Sequence, residues 1–169
     1  MNYFEFYDIP ISLKVDQAAL KKTFYANSRK YHPDFYATES EEKQAAILEL
    51  SSLNNEAYKT LSDFDKRMKY VLDIKGVLEE EGKNSVPQDF LMEMMDINEG
   101  LMELEFDFDE SSYDSIKKQL KEKEAALYKT IESTVNDFKE DQLSLVKDYY
   151  LKKKYLLRIQ ENITKFASR

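Results

Sequence analysis

Apolar positions recur at steps of three and four along most of this chain, the period of helices that bury one face. An aromatic opening, Tyr3, Phe4, Phe6, Tyr7 and Ile9, stops at Pro10 and predicts a short first helix laid against something larger. Asp16 then stands where an N-cap is needed, and Val15 and Leu20 are placed to form a hydrophobic staple. Leu20, Phe24 and Tyr31 make the inward stripe of the helix that follows. Ala46, Leu50, Leu53, Ala57 and Leu61 predict a longer helix, opened by a capping box of Thr38 and Glu41. Two such helices on a short loop should pack antiparallel. Ser62 and Asp63 start a shorter helix that buries Met68, Val71 and Leu72 and ends at Gly76.

Composition changes at residues 76–89, which hold two of the three glycines, Pro87 and the run Glu79-Glu80-Glu81. A linker is expected there, between a first domain at 1–75 and a second at 90–169. The second domain reads as a three-helix bundle, with helices over about 88–105, 110–138 and 141–167. Tyr113, Ile116, Leu120, Leu127, Ile131, Val135 and Phe138 form the stripe of its second helix. Leu143, Val146, Tyr150, Leu157, Ile163 and Phe166 form that of its third. In its first helix Phe90, Met94, Ile97, Leu101 and Leu104 already complete a core face. That leaves Leu91, Met92 and Met95 on another side, bordered by Asp96 and Glu99. Either these three pack on the first domain, or they form an exposed methionine-rich patch with an acidic rim, the composition of a protein-binding surface. Gly100 within this helix is expected to cost about 1 kcal/mol of helix propensity.

The first hairpin turns at Tyr31-His32-Pro33-Asp34-Phe35-Tyr36. Pro33 pushes His32 out of the helical region and ends the preceding helix, which leaves Asp34 on a turn, free to face a partner. Between Gln17 and Pro33 there is no acid, in a chain with 33 of them, while Lys21, Lys22, Arg29 and Lys30 lie on the outer side. Such a face is either simply solvated or a positive surface that steers an acidic protein partner.

Few glycines and prolines with abundant Leu, Lys and Glu make an all-α fold the expectation. The net charge of -8 argues against nonspecific nucleic-acid binding, and no apolar run reaches the roughly 18 residues of a membrane span. The N-terminus carries no leader pattern, so a cytoplasmic protein is the default expectation. The absence of cysteine removes disulfides, thiolate metal sites and cysteine nucleophiles. There is no glycine-rich phosphate loop, and a carboxylate-bridged metal enzyme would need Glu-x-x-His pairs, whereas Arg29 precedes the single histidine by three. An enzyme is not expected, nor a resident cofactor or metal.

The run Asn55-Glu56-Ala57-Tyr58-Lys59-Thr60-Leu61-Ser62-Asp63 is followed by Lys66-Arg67 and Tyr70. With Lys30-Tyr31-His32-Pro33-Asp34 and the basic helix, it resembles the J domain of the DnaJ-type co-chaperones over about residues 1–75. The resemblance implies docking on a DnaK-type chaperone and stimulation of its ATPase, with His32, Pro33, Asp34, Lys21, Lys22, Arg29 and Lys30 at the contact. General co-chaperones of that kind commonly continue into Gly/Phe-rich and Cys-rich zinc modules, and this chain has neither.

Phe90-Leu91-Met92-Glu93, leading into an acidic amphipathic helix after a J domain and a short linker, resembles the HscB family. That resemblance spans nearly the whole chain. It implies an HscA-like DnaK-type chaperone and an IscU-like iron-sulfur cluster scaffold protein as partners, the scaffold being delivered for cluster release. Leu91, Met92, Met95, Asp96 and Glu99 match the scaffold-binding positions, with Tyr155 contributing from the last helix. No metal ligand in the carrier is implied. A monomer is expected. The alternative is a J-domain co-chaperone for a different client, which the methionine patch fits equally well in kind.

Overall fold

The computed structural model describes residues 1–166 and is all-helical, with eight α-helices and no strand among the described residues. Residue 167 of the expected last helix and residues 167–169 of the expected second domain lie outside them. The chain divides into two compact units, one of residues 1–75 together with Val135–Phe138, the other of the remainder.

In the first unit, α1 (Tyr3–Phe6), α2 (Gln17–Lys30) and α4 (Phe64–Ile74) all pack on α3 (Glu41–Leu61). The four-residue α1 holds its shape because Asn2 Oδ1 accepts from the Glu5 N–H and the Glu5 carboxylate accepts from the Asn2 N–H, both at 3.0 Å. It is anchored by Tyr3, whose ring stacks on Tyr70 at 4.4 Å and whose N–H donates to the Tyr70 hydroxyl at 2.9 Å. Burial raises the pKa of that hydroxyl. Asp16 caps α2 by accepting from the Ala19 N–H at 3.0 Å, as the sequence predicts. Phe24 on α2, half-buried, stacks on Tyr58 of α3 at 4.3 Å.

Two features of α3 differ from expectation. Its N-cap is Ser40, which accepts from the Lys43 N–H at 3.3 Å, in place of Thr38. Its inner face is turned by one position, so that Ile47 and Asn54 are buried with Ala57 and Leu61, while Ala46 is exposed and Leu50 and Leu53 are only half-buried. Asn54 can sit inside because every polar atom of its side chain is used. Its amide donates to the Phe24 carbonyl (3.1 Å) and to Ser28 Oγ (3.2 Å), and its Oδ1 accepts from the Tyr7 hydroxyl at 2.8 Å. One side chain thus ties three helical segments at a position that an apolar-periodicity search passes over.

Arg67 on α4 is the second buried polar group, with Nε donating to the Leu13 carbonyl at 2.8 Å and a terminal nitrogen donating to the Leu61 carbonyl at 2.5 Å. Its guanidinium lies 5.6 Å from the Phe64 ring, and burial lowers its pKa although Asp63 opposes the shift. The Leu61 carbonyl belongs to the last turn of α3, where no intrahelical partner is available, so Arg67 acts as the cap of α3. Replacing Arg67 by Ala is expected to orphan both carbonyls and open a cavity, lowering stability by about 3 kcal/mol. Urea melts of the full chain check this, and a shift within about 0.5 kcal/mol would contradict it.

The segment between α4 and α5 (Gln88–Phe106) is a built turn. Gly76 and Gly82 adopt left-handed φ values of 66° and 86°, and the Asn84 side chain both accepts from the Glu79 N–H (2.9 Å) and donates to the Glu79 carbonyl (3.0 Å). Gly76 follows α4 as the expected stop.

In the second unit α5, α6 (Glu110–Lys129) and α8 (Leu143–Thr164) pack pairwise into a three-helix bundle. Its core is Met94, Ile97, Leu101 and Leu104 from α5, Ile116 and Leu120 from α6, and Leu156, Ile159, Ile163 and Phe166 from the C-terminal segment. The α5 stripe is the one expected, with Phe90 half-buried at its edge. The α8 stripe is corrected to Val146, Tyr149, Leu156, Ile159 and Ile163, with Leu157 exposed and Leu143 and Tyr150 half-buried. The expected helix over 110–138 is also corrected. It stops at Lys129, where the Thr130 hydroxyl donates to the Leu127 carbonyl at 2.7 Å and the Ile131 N–H bonds only three residues back, and a separate α7 covers Glu132–Asn136. Gly100 faces Ile116. A Cβ there would lie 3.0 Å from Ile116 Cδ1, so the glycine permits the close approach of α5 to α6 in addition to costing helix propensity.

Two candidate interaction surfaces

The first surface begins with the end of α2. Tyr31 caps the helix and His32 is extended (φ -73°, ψ 122°), as the following proline demands. Pro33–Tyr36 then form a 3-10 turn. His32 Nδ1 accepts from the Asp34 N–H at 3.3 Å, so its lone pair faces the backbone and the Asp34 carboxylate, 3.8 Å away, is not held by a proton on that nitrogen. The Asp34 side chain is 89% exposed. The turn is clipped at both ends. The Tyr36 hydroxyl donates to the Lys30 carbonyl at 2.8 Å, and the Gln44 amide donates to the Ala37 (3.2 Å) and Glu39 (2.9 Å) carbonyls. Neither clip is legible from apolar spacing. They fix the place of an exposed charge on a loop that has no buried residue of its own.

Alongside, Lys21, Lys22 and Arg29 are exposed and fall within about 100° of arc on α2 at 3.6 residues per turn. Half-exposed Tyr25 lies between them on the same arc, an apolar member the charge pattern did not reveal. Lys30, also exposed, is turned about 100° further round than Arg29, and its Nζ lies 5.1 Å from the Tyr31 ring centroid. The four cations are therefore spread over about 180° of α2, with Lys22 and Arg29 adjacent and Lys21 and Lys30 each about 80° to either side. Arg29 and Lys30 occupy the last turn of α2, where the helix dipole favours positive charge.

The second surface is the outer side of α5. Met92 is 62% and Met95 57% exposed, Leu91 is half-buried, and Asp96 and Glu99 are exposed. Tyr155 of α8 is half-buried against the bundle core, its ring edge-on to Phe90 at 5.9 Å, so it borders the N-terminal end of α5 and does not lie along its outer face. Lys123 of α6 pairs with Glu93 at 2.7 Å, which holds the flank of α5 beside this surface. Among the described residues no helix is long and apolar enough to cross a membrane, and no cluster of acidic or His side chains suits a metal ion.

Comparison with known proteins follows the same division. A DnaJ domain model matches residues 5–70, and a model described as the HSCB C-terminal oligomerisation domain matches residues 86–164. A co-chaperone protein HscB homolog of Vibrio cholerae is 37% identical over 103 residues, a stretch covering 60% of this chain and 60% of that relative's length. A homolog so named from a Shewanella species is 26% identical over 98% of this chain and 96% of its own. The crystal structure of the human co-chaperone protein HscB superposes with a TM-score of 0.76 at 28% identity, covering 99% of this chain and 82% of that one. The turn at His32–Asp34 falls inside one matched region and the α5 surface inside the other, and the chain belongs to the HscB family of J-domain co-chaperones.

Proposed function

We propose that this protein stimulates the ATPase of an HscA-like DnaK-type chaperone through its first unit and brings to it an IscU-like iron-sulfur cluster scaffold held on its second. The observation that supports the chaperone contact is the solvent-facing Asp34 on a turn clipped by Tyr36 and Gln44, at the end of a helix that exposes Lys21, Lys22 and Arg29. A carboxylate so placed can form charge-assisted bonds to a cationic group of a partner at little ordering cost. The basic arc of α2 steers the encounter with an acidic chaperone surface, while His32 and Pro33 shape the turn and Lys30 adds to the local potential.

Leu91, Met92 and Met95 supply the apolar contact for the scaffold, with Asp96 and Glu99 as its rim and Tyr155 at its border. Unbranched methionines adapt to a partner's shape, and exposed apolar patches of this kind are rare on soluble proteins without a binding role. The chain does no chemistry of its own, since ATP is cleaved on the chaperone and the cluster is carried by the scaffold. The test is the chaperone's ATPase rate with this chain alone and with purified scaffold added. Acceleration by the chain and further acceleration on adding scaffold is expected, and no acceleration in either case would contradict the proposal.

A further inference from the structure

The apolar side of α5 does not end at Met95. Met102 is 59% and Phe106 90% exposed. At about 100° per residue, Met95, Met102 and Phe106 fall within about 40° of one another around the helix, and Met92 and Glu99 lie within a further 40°. Leu101 and Leu104, which share this half of the helix, are buried in the core on the opposite side. From Met92 to Phe106 the row runs about 21 Å along the axis at 1.5 Å per residue. Phe108, just beyond, is a different case, because its ring stacks on Phe166 at 6.2 Å and belongs to the bundle.

We infer that Met102 and Phe106 form a second apolar contact for the same scaffold protein, so that its footprint covers the whole outer face of α5 and ends at the turn to α6. The inference rests on the scaffold-carrying role proposed above. Charge sets what the occupant must carry. No cation occurs between Lys83 and Lys117, while Asp96, Glu99, Glu103, Glu105 and Asp107 surround the row. The partner must therefore present a hydrophobic patch bordered by basic side chains. A second copy of this chain, docked through the same face, would set acid against acid, so self-association is disfavoured there. A phenylalanine at 90% exposure on a helix end, next to an acidic rim, is costly to solubility unless a partner covers it.

The test uses the full chain and a purified iron-sulfur cluster scaffold. In calorimetric titrations the double substitution Met102→Ser, Phe106→Ser is expected to weaken scaffold binding about tenfold or more with the melting temperature unchanged. Phe106 replaced by photoreactive benzoylphenylalanine is expected to cross-link the scaffold. Affinity within twofold of wild type, or no cross-link to the scaffold, would overturn the inference. The triple substitution of Leu91, Met92 and Met95 by Ala, titrated beside it, separates the two levels. Loss of binding by the triple variant alone overturns only the second contact, whereas a wild-type chain that binds no scaffold overturns the scaffold-carrying role itself. A concentration-dependent dimer that the double substitution abolishes, with scaffold affinity intact, would overturn the inference in favour of a second copy.

Discussion

Replacing Asp34 by Asn is expected to abolish stimulation of the chaperone ATPase while leaving the helical signal and melting temperature unchanged. The side chain is 89% exposed and makes no contact that holds the fold, and the hydrogen bond at this position, to His32 Nδ1, is donated by the backbone and survives the substitution. Surface changes away from packing, caps and networks typically alter stability by no more than about 0.5 kcal/mol. Binding is another matter. Removing one partner of a desolvated charge pair costs about 2–5 kcal/mol, and an amide of the same shape cannot replace the charge. Equal stimulation by the variant and the wild type, measured at saturating co-chaperone, would refute the role assigned to this turn.

The triple substitution of Leu91, Met92 and Met95 by Ala carries the second large effect. Met92 and Met95 lie mostly in solvent and Leu91 is half-buried, so the loss of stability is expected to be about 1 kcal/mol or less, offset in part by the helix propensity of Ala. Had these three been core, the cost would be several kcal/mol, enough to unfold so small a bundle. The same lost contact is expected instead in affinity for the scaffold, about 2–4 kcal/mol if the patch is the hot spot of the interface, with Asp96 and Glu99 contributing less because they form its rim. Calorimetry with thermal melts run in parallel checks both quantities. A stable triple variant that binds like wild type would remove the site from α5.

The parts of this molecule that were legible in the sequence share a physical reason. In α5 the core face was readable because Met94, Ile97, Leu101 and Leu104 are the apolar set spaced for one face, and they are the ones buried. In α8 the pairs Tyr149-Tyr150 and Leu156-Leu157 offered two frames, and burial of Ile159 with Ile163 selects the one containing Tyr149 and Leu156. Periodicity cannot choose between neighbours of equal apolarity. It also passes over Asn54 and Arg67, whose burial depends on carbonyls and hydroxyls supplied from distant segments at Phe24, Ser28, Tyr7, Leu13 and Leu61. Thr38 and Ser40 both stood before an acidic first turn, and only backbone geometry decides which one caps.

The candidate surfaces divide in the same way. The turn at His32-Pro33-Asp34 was readable because proline dictates backbone conformation locally. The clips from Tyr36 and Gln44 were not, since each joins a side chain to a carbonyl several residues away. On α5, Met92 and Met95 stood out as a surplus over a complete core face. Met102 and Phe106 resume the same side past Glu99, a charged position on that side that interrupts the apolar pattern both in sequence and along the helix.

The central claim is that one chain must hold both partners, and the chaperone ATPase rate in the presence of scaffold tests it most directly when wild type is compared with an equimolar mixture of the Asp34→Asn chain and the triple-alanine chain. Each variant in the mixture keeps the surface the other lacks. Only the wild-type chain is predicted to give the full rate, with the mixture rising no further than the triple-alanine chain alone. A mixture that restores the wild-type rate would contradict delivery by a single two-surfaced carrier.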